Sequence, residues 1–148
     1  MSNIRIFVSH RIDIDSETVD TPVYFPVRCG AVYDEEGNSE IQGDDTGDNI
    51  SKLRMSFCEF TVQYWAWKNV DADYYGLCHY RRYLSFSDKR YKNTVFNMVR
   101  ELKLTPHEKK KYHLDDTKKI EKTVKQYDMI IPVVAKASEM SYNRAEVK

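Results

Sequence analysis

The sequence has little of what marks several large protein classes. Its three cysteines are odd in number and lack metal-type spacing, so reduced thiols are expected rather than a secreted disulfide scaffold or a zinc ribbon. No apolar run approaches the ~20 residues that a membrane-spanning helix needs, and residues 1–6 lack the apolar core of a signal peptide. No Gly-X-Gly-X-X-Gly or Walker loop is present, so dinucleotide dehydrogenases and P-loop enzymes lose their main support.

An excess of one charge is also missing, since 23 basic residues balance 23 acidic ones. A net charge of zero offers no global electrostatic case for nucleic acid, and no such partner is predicted. The balance is uneven, because residues 1–50 carry 3 basic and 11 acidic side chains and residues 51–148 carry 20 and 12. Much of the basic excess lies between Lys89 and Lys125. Such a run is usually a solvated face, and the alternative is a surface that meets phosphates or anionic lipid headgroups.

The apolar patterns that are present predict an α/β fold. With 41% hydrophobic residues in about one domain's length, the chain can pack a core, and we expect one domain over residues 1–148. A helix that leads directly into a strand is an α/β connection, which favours an open, mostly parallel sheet with flanking helices. Strands are predicted at residues 4–8, 23–25, 74–79 and 127–131, and helices at 57–69, at 93–102, from 106 onward and at 116–126.

The predicted helix over residues 57–69 is apolar on much of its circumference. Ser56 and Glu59 have the spacing of a capping box at its start. A helix this apolar is expected to be buried against the sheet. The face at helical spacing that we expect to be buried consists of Phe57, Phe60, Tyr64 and Trp67, widened by Cys58, Val62 and Trp65.

Strand exits are the first candidate site, because ligands of open parallel sheets bind beyond the carboxyl ends of the strands. The exit after residues 74–79 has the most side chains that could bind or react with a ligand. One imidazole, two guanidiniums and two phenols occur in the run His79-Tyr80-Arg81-Arg82-Tyr83. Guanidiniums match phosphate oxygens and keep their charge near neutral pH. The alternative is a surface strand end whose arginines pair with acidic residues. The other two exits deliver Ser9-His10-Arg11 and Pro132-Val133.

The acidic loop Gly-Asp-Asp-Thr-Gly-Asp-Asn, residues 43–49, is the second candidate. Aspartates this dense suit a divalent cation or the hydroxyl and N–H donors of a nucleoside, and we expect the loop to face His10. The spacing fails the EF-hand template, and ordinary turn chemistry is the alternative. Asp71-Ala72-Asp73 precedes a predicted strand, so it lies ~20 Å from the exit and is interpreted as a turn.

Three segments together resemble a bacterial family found in capsular and exopolysaccharide gene clusters. They are residues 43–51, residues 57–69 and the motif Gly-Leu-Cys-His-Tyr-Arg-Arg-Tyr at residues 76–83. That family, long labelled a domain of unknown function, is generally taken to be glycosyltransferase-like, and the resemblance spans roughly residues 4–134. The chain departs from it in having His10-Arg11-Ile12 where the family usually has His-Lys-Pro. Family members also continue past residue 148.

The resemblance implies a Rossmann-like, GT-A-type nucleotide-sugar transferase fold that lacks its C-terminal part. It implies an enzyme that transfers a sugar from a nucleotide-diphosphate donor to a bacterial polysaccharide or lipid-linked acceptor. Such an enzyme would work in the cytoplasm, at the inner face of the membrane and without spanning it. The alternative is an inactive nucleotide-sugar-binding or scaffold module of the same assembly machinery.

The predicted site follows from the exits, the loop and the resemblance together. No metal ligand is predicted, because Arg81 and Arg82 are expected to neutralise the diphosphate, and a divalent cation is the alternative. The expected catalytic residues are His79, Arg81 and Arg82, and the expected donor-binding residues are His10, Asp44, Asp45, Asp48, Asn49 and Tyr80.

Overall fold

The chain divides into two compact units. The computed structural model describes residues 2–37, 40–91 and 98–132. The first unit is Met1–Leu84 and the second is Ser85–Lys148, where the sequence predicts a single domain. The sheet and every predicted site residue belong to the first unit.

The first unit is built on an open sheet of four strands in the order β3-β2-β1-β4. All three strand pairings are parallel, which confirms the predicted open parallel sheet. Strand β3 was not predicted, because a strand of two residues is too short to show the alternation of apolar and polar residues. The strands are β1 (Ile4–His10), β2 (Tyr24–Arg28), β3 (Gln42–Gly43) and β4 (Tyr74–His79).

The register of the sheet brings all the strand exits to one edge. Ser9 pairs with His79 across β1 and β4, and His10 pairs with Arg28 across β1 and β2. Arg28 in turn pairs with Gly43 on β3. Residues far apart in the sequence therefore meet where the strands end. This carboxyl edge is the region in which open parallel sheets bind ligands.

The Asp-Ala-Asp segment lies at the opposite, amino edge, as predicted. Asn3 N–H donates to Asp73 Oδ2 at 2.7 Å, and Asn3 Nδ2 donates to the carbonyl oxygen of Asp71 at 2.8 Å. These bonds fasten the turn before β4 to the start of β1. The Asp73 carboxylate and the Asp71 carbonyl oxygen are therefore structural parts of a turn, remote from the strand exits.

The predicted helix over residues 57–69 is two helices, α1 (Arg54–Phe57) and α2 (Phe60–Asn69). They are separated at Cys58, whose φ of +46° interrupts the helical backbone. The capping box does not form, since no side chain caps the start of α2.

Of the face expected to be buried, Val62 and Trp65 are buried as predicted, whereas the prediction is wrong for Phe60 and Trp67, which are exposed. Phe60 and Trp67 are 63% and 64% exposed, while Val62, Trp65 and Ala66 are buried against the sheet. A helix with two apolar faces can bury only one of them on a single sheet. The small Val62 and Ala66 allow the helix to approach the strands closely, and this selects their face.

The second unit contains α3 (Pro106–Lys111) and α4 (Thr117–Val124), which confirms two of the predicted helices. Of the helix predicted at 93–102, residues 98–102 form no helix, and residues 93–97 lie outside the described residues. Asp116 caps α4 by accepting a hydrogen bond from Lys119 N–H at 3.0 Å. The strand predicted at residues 127–131 is wrong, because those residues form no strand and are exposed. A strand needs a hydrogen-bonding partner, and none of the strands in the described residues pairs with them. Val133 lies outside the described residues.

The helices within residues 2–37, 40–91 and 98–132 are all short. None of the helices there is long and apolar enough to cross a bilayer.

Candidate functional site

The exit of β4 folds into a tight turn that presents two arginines. β4 ends at His79, and Arg82 N–H donates to the His79 carbonyl oxygen at 2.8 Å. Because the strand stops there, the alternation of strand faces no longer separates Arg81 from Arg82, and both are exposed. Neither guanidinium pairs with a carboxylate in the part of the chain that the structure describes. The ion pairs of the alternative interpretation, between these arginines and acidic residues, are therefore not formed there.

His79 and Tyr80 connect this turn to β1 and α2. His79 Nε2 lies 3.5 Å from Glu59 Oε1, and Arg81 N–H donates to His79 Nδ1 at 3.4 Å. The ring centroid of Tyr80 lies 4.2 Å from that of His79 and 6.1 Å from that of His10. The Arg81 guanidinium lies 5.6 Å from the Tyr80 ring centroid, within the range of a cation–π interaction. Tyr80 thus supports the side chain of Arg81.

The imidazoles at this edge do not supply its positive charge. Burial is the main reason that the pKa of His79 lies below its ordinary value, with Glu59 opposing the shift and three arginines reinforcing it. Burial also lowers the pKa of His10, and the nearby His79 adds to that effect. Both rings are therefore neutral near pH 7. The permanent charge at the carboxyl edge comes from guanidiniums.

Two further arginines lie at this edge, and the site prediction missed both. Arg11 follows β1 and is paired with Asp13, Nε donating to Oδ1 at 2.8 Å. Arg54 begins α1, and its charge helps to lower the pKa of Asp13, after the larger effect of the Arg11 hydrogen bond. The strand-exit rule points to Arg11. No sequence signal pointed to Arg54, because it reaches the edge only through a contact with Gly30.

His10 lies in the interior rather than on the surface of the site. Its side chain is 2% exposed, with Nδ1 2.7 Å from Ser16 Oγ and Nε2 2.6 Å from Thr18 Oγ1. Both ring nitrogens are engaged, so the structure corrects the prediction that this ring binds the donor. His10 instead fastens the segment that follows β1 to the sheet.

Asp44 is a structural carboxylate, which corrects its assignment as a donor-binding residue. It is fully buried and accepts four hydrogen bonds. Oδ2 accepts from Gly30 N–H at 2.9 Å and from Thr61 Oγ1 at 2.6 Å. Oδ1 accepts from Ala31 N–H at 2.9 Å and from Ser51 Oγ at 2.6 Å. Buried charges are tolerated when they are hydrogen-bonded in this way, and no oxygen is left for a ligand.

The rest of the acidic loop runs along α2, away from the strand exits. Asp48 Oδ1 accepts from Tyr64 Oη at 3.1 Å, and the Asp48 carbonyl oxygen accepts from Asn69 Nδ2 at 2.8 Å. Asn69 is the last residue of α2, whereas Glu59, beside His79, precedes the first. Ten residues of helix span ~15 Å. The prediction that the loop faces His10 is therefore wrong for the Asp48 end of the loop, whereas its first residue, Gly43, lies at the carboxyl edge beside Arg28.

The side chains of Asn49 and Asp45 differ in the hydrogen bonds that they form within this loop. Asn49 Nδ2 donates to the carbonyl oxygens of Asp45 and Gly47, both at 3.0 Å. Its amide therefore holds the loop together. The side chain of Asp45 is exposed, and its role in binding stays a prediction.

A metal site needs several histidine, cysteine, aspartate or glutamate side chains close together. In the described ranges, no three of them come together as metal ligands. Asp44 uses both oxygens internally, and Asp48 faces Tyr64 and Lys68. The independence of the protein from metal stays a prediction.

Comparisons with known proteins identify the family. The model of a family described as a domain of unknown function, DUF4422, matches residues 5–147. The chain belongs to the DUF4422 family. No curated protein matches it.

A solved structure extends this assignment. The apo structure of WbbM, described as a bifunctional glycosyltransferase, is 32% identical, with a TM-score of 0.75 over 85% of this chain. The chain spans 22% of the length of that protein. The Rossmann-like α/β fold is thus shared with a glycosyltransferase, and the family is glycosyltransferase-like.

Proposed function

We propose that the DUF4422 chain binds a nucleotide-diphosphate sugar as part of a glycosyltransferase. The acceptor in this proposal is a bacterial polysaccharide or a lipid-linked intermediate of capsule or exopolysaccharide biosynthesis. The observation that carries the proposal is the turn at residues 79–82, with two arginines that have no described carboxylate partner, at the carboxyl edge of a Rossmann-like sheet. The similarity to a glycosyltransferase supports it.

The chemistry of sugar transfer explains why such a turn is useful. As the glycosidic bond to the donor breaks, negative charge develops on the departing diphosphate, and fixed positive charge stabilises it. Arg81 and Arg82 hold that charge at any pH near neutrality, and Tyr80 supports Arg81. The two nitrogens of His79 face Glu59 and the backbone of the turn, so we assign His79 to positioning the arginines rather than to proton transfer.

Calorimetry with nucleoside diphosphates in EDTA tests the binding step. We expect Arg81→Ala and Arg82→Ala each to lower the affinity by one to two powers of ten, the cost of one charge-assisted contact of ~1.5–3 kcal/mol. Arg5→Ala is the matched control, because Arg5 bonds Asn3 and Pro22 at the amino edge. Equal affinity in all variants would contradict the proposal.

The same titration tests the proposed metal independence. Wild-type affinity should survive EDTA, since the arginines are proposed to do what a divalent ion does elsewhere. Loss of binding in EDTA and its return with manganese would show that a metal ion holds the diphosphate.

A non-catalytic nucleotide-sugar-binding or scaffold module is the second candidate. The observation that favours it is that the chain covers 22% of the similar glycosyltransferase, so residues outside this unit could be needed for turnover. Release of nucleoside diphosphate from a sugar donor distinguishes the two. Binding without release would favour the module, and no binding of any nucleotide would leave only a scaffold.

We also propose that the protein is cytoplasmic and touches the inner face of the membrane through the second unit. Lys118, Lys122 and Lys125 lie at i, i+4 and i+7, on the side of α4 opposite the buried Ile120. Lys125 Nζ lies 2.7 Å from Glu121 Oε1, and this ion pair weakens the contribution of Lys125 to attraction by an anionic surface. Each basic residue near an anionic surface contributes at most ~1 kcal/mol, so the contact would be weak and reversible.

Sedimentation with anionic vesicles tests this contact. Pelleting should be present at low salt and lost at high salt, because a Debye length shortens as ions are added. The variant Lys118→Glu/Lys122→Glu should abolish it, whereas Lys103→Glu, an exposed lysine outside α4, is the single-charge control. If pelleting changes neither with salt nor in the double variant, these lysines form only a solvated face of the helix and make no contact with the membrane.

A further inference from the structure

The side chain of Arg54 passes directly over the backbone of Gly30, just beyond the end of β2. A Cβ added to Gly30 would lie 2.1 Å from Arg54 Cδ and 2.9 Å from Arg54 Cγ, too close for any side chain. The φ of Gly30 is +71°, a conformation that glycine adopts without the strain other residues incur. Only glycine at this position leaves room for the arginine stem.

This crossing places Arg54 at the same edge as the arginine turn. Gly30 follows β2 by two residues, and its N–H is held by Asp44 Oδ2 at 2.9 Å. The exits of β2 and β4 flank that of β1, and neighbouring strands lie ~4.8 Å apart, so the two exits are separated by ~10 Å. An extended nucleoside diphosphate can bridge such a distance.

The charge of Arg54 is available to a ligand. Its side chain is half-buried, and no carboxylate within the described ranges forms an ion pair with it. Asp13, the acidic residue whose pKa it helps to lower, is already bound by Arg11 through two contacts. A guanidinium fixed at a strand exit without a carboxylate partner is prepared for an anion.

We propose that Arg54 is a further diphosphate-binding residue, held over Gly30 so that it meets the ligand from the side opposite Arg81 and Arg82. This inference rests on the proposed function and names a third guanidinium for the same site. Gly30 acts as a positioning residue, since it contributes only the space in which the Arg54 stem lies.

Two substitutions of Arg54 test the contact by calorimetry with nucleoside diphosphates and with inorganic pyrophosphate. Arg54→Gln keeps most of the stem and removes the charge, and it should lower the affinity for both probes by ~10- to 100-fold. Arg54→Lys keeps a charge without the fork and should lose less. Arg5→Ala, at the amino edge, should change neither affinity.

A double-mutant cycle tests the role of Gly30. Gly30→Ala should displace Arg54 and lower the affinity to the level of Arg54→Gln, and the combined variant should lose no more than either alone, because both remove one contact. Circular dichroism checks that each variant is folded. If Gly30→Ala fails to fold, the two Arg54 variants still decide the question.

The outcomes separate this inference from the proposed function. A wild-type protein that binds neither nucleoside diphosphate nor pyrophosphate overturns the proposed function and the inference with it. Wild-type binding that Arg54→Gln leaves unchanged overturns the inference alone. Loss of nucleoside diphosphate binding with unchanged pyrophosphate binding also overturns it, because Arg54 would then contact the nucleoside rather than the diphosphate.

Discussion

The turn at residues 79–82 and the acidic loop at residues 43–49 are both dense in charge, yet they use it in opposite ways. In the turn, Arg81 and Arg82 are exposed and pair with no described carboxylate. In the loop, Asp44 accepts four hydrogen bonds and Asn49 bonds the loop backbone. A polar group that the fold has already satisfied cannot also bind a ligand strongly. The free hydrogen-bonding capacity, rather than the density of charge, distinguishes a binding site from a structural one.

The largest expected effect that would sharpen this contrast is that of Asp44→Ala. Removing the carboxylate leaves two backbone N–H groups and two hydroxyls buried without their acceptor, and we expect a loss of about 3–5 kcal/mol in the free energy of unfolding. Urea denaturation measures it, with Asp45→Ala as the exposed neighbouring control. A stable Asp44→Ala variant with weakened nucleotide binding would instead make Asp44 a ligand.

The buried imidazole beside the turn gives a smaller, pH-dependent effect. Because burial lowers the pKa of His10, the unfolded chain takes up that proton at a higher pH than the folded protein does. The stability that His10 contributes is complete above the unfolded pKa of about 6.5 and falls as the pH drops below it. Urea midpoints between pH 7.5 and pH 5 should therefore fall less for His10→Gln than for wild type.

A matched histidine makes this prediction sharper. His79→Gln removes the other imidazole whose pKa burial lowers, so its urea midpoint should also fall less than that of wild type between pH 7.5 and pH 5. The lowered pKa of His79 acts in the same direction, so His10→Gln should reduce the dependence without abolishing it. An unchanged slope in His10→Gln would mean that the buried ring is protonated without cost.

The smallest effects are expected for Asp45→Ala and Asp48→Ala. Both residues are exposed, and surface substitutions usually change the free energy of unfolding by no more than about 0.5 kcal/mol. Because Asp48 lies at the far end of α2 from the turn, we expect its loss to leave nucleotide affinity unchanged in calorimetry. A tenfold loss of nucleotide affinity in Asp48→Ala would break the contrast and return this end of the loop to the binding site.

The fold shows where sequence patterns are sufficient and where they are not. β4 was predicted at its observed bounds, because a six-residue apolar run between a turn and a polar segment has one simple interpretation. The buried face of α2 was predicted only in part, because its sequence offers two apolar faces and the sheet buries the one with Val62 and Trp65. The segment at residues 127–131 has the composition of a strand, but strand formation depends on a partner rather than on composition.

The sequence by itself determined that this protein has a parallel α/β sheet and that two arginines follow directly on one of its strands. Both are local properties, since strand periodicity and residue order survive any packing. Only the tertiary structure decided that Asp44 and His10 are interior and that Arg54 lies over Gly30 at the strand exits. Those facts depend on contacts between segments distant in the sequence, where burial and hydrogen bonding determine which polar groups remain available to a ligand.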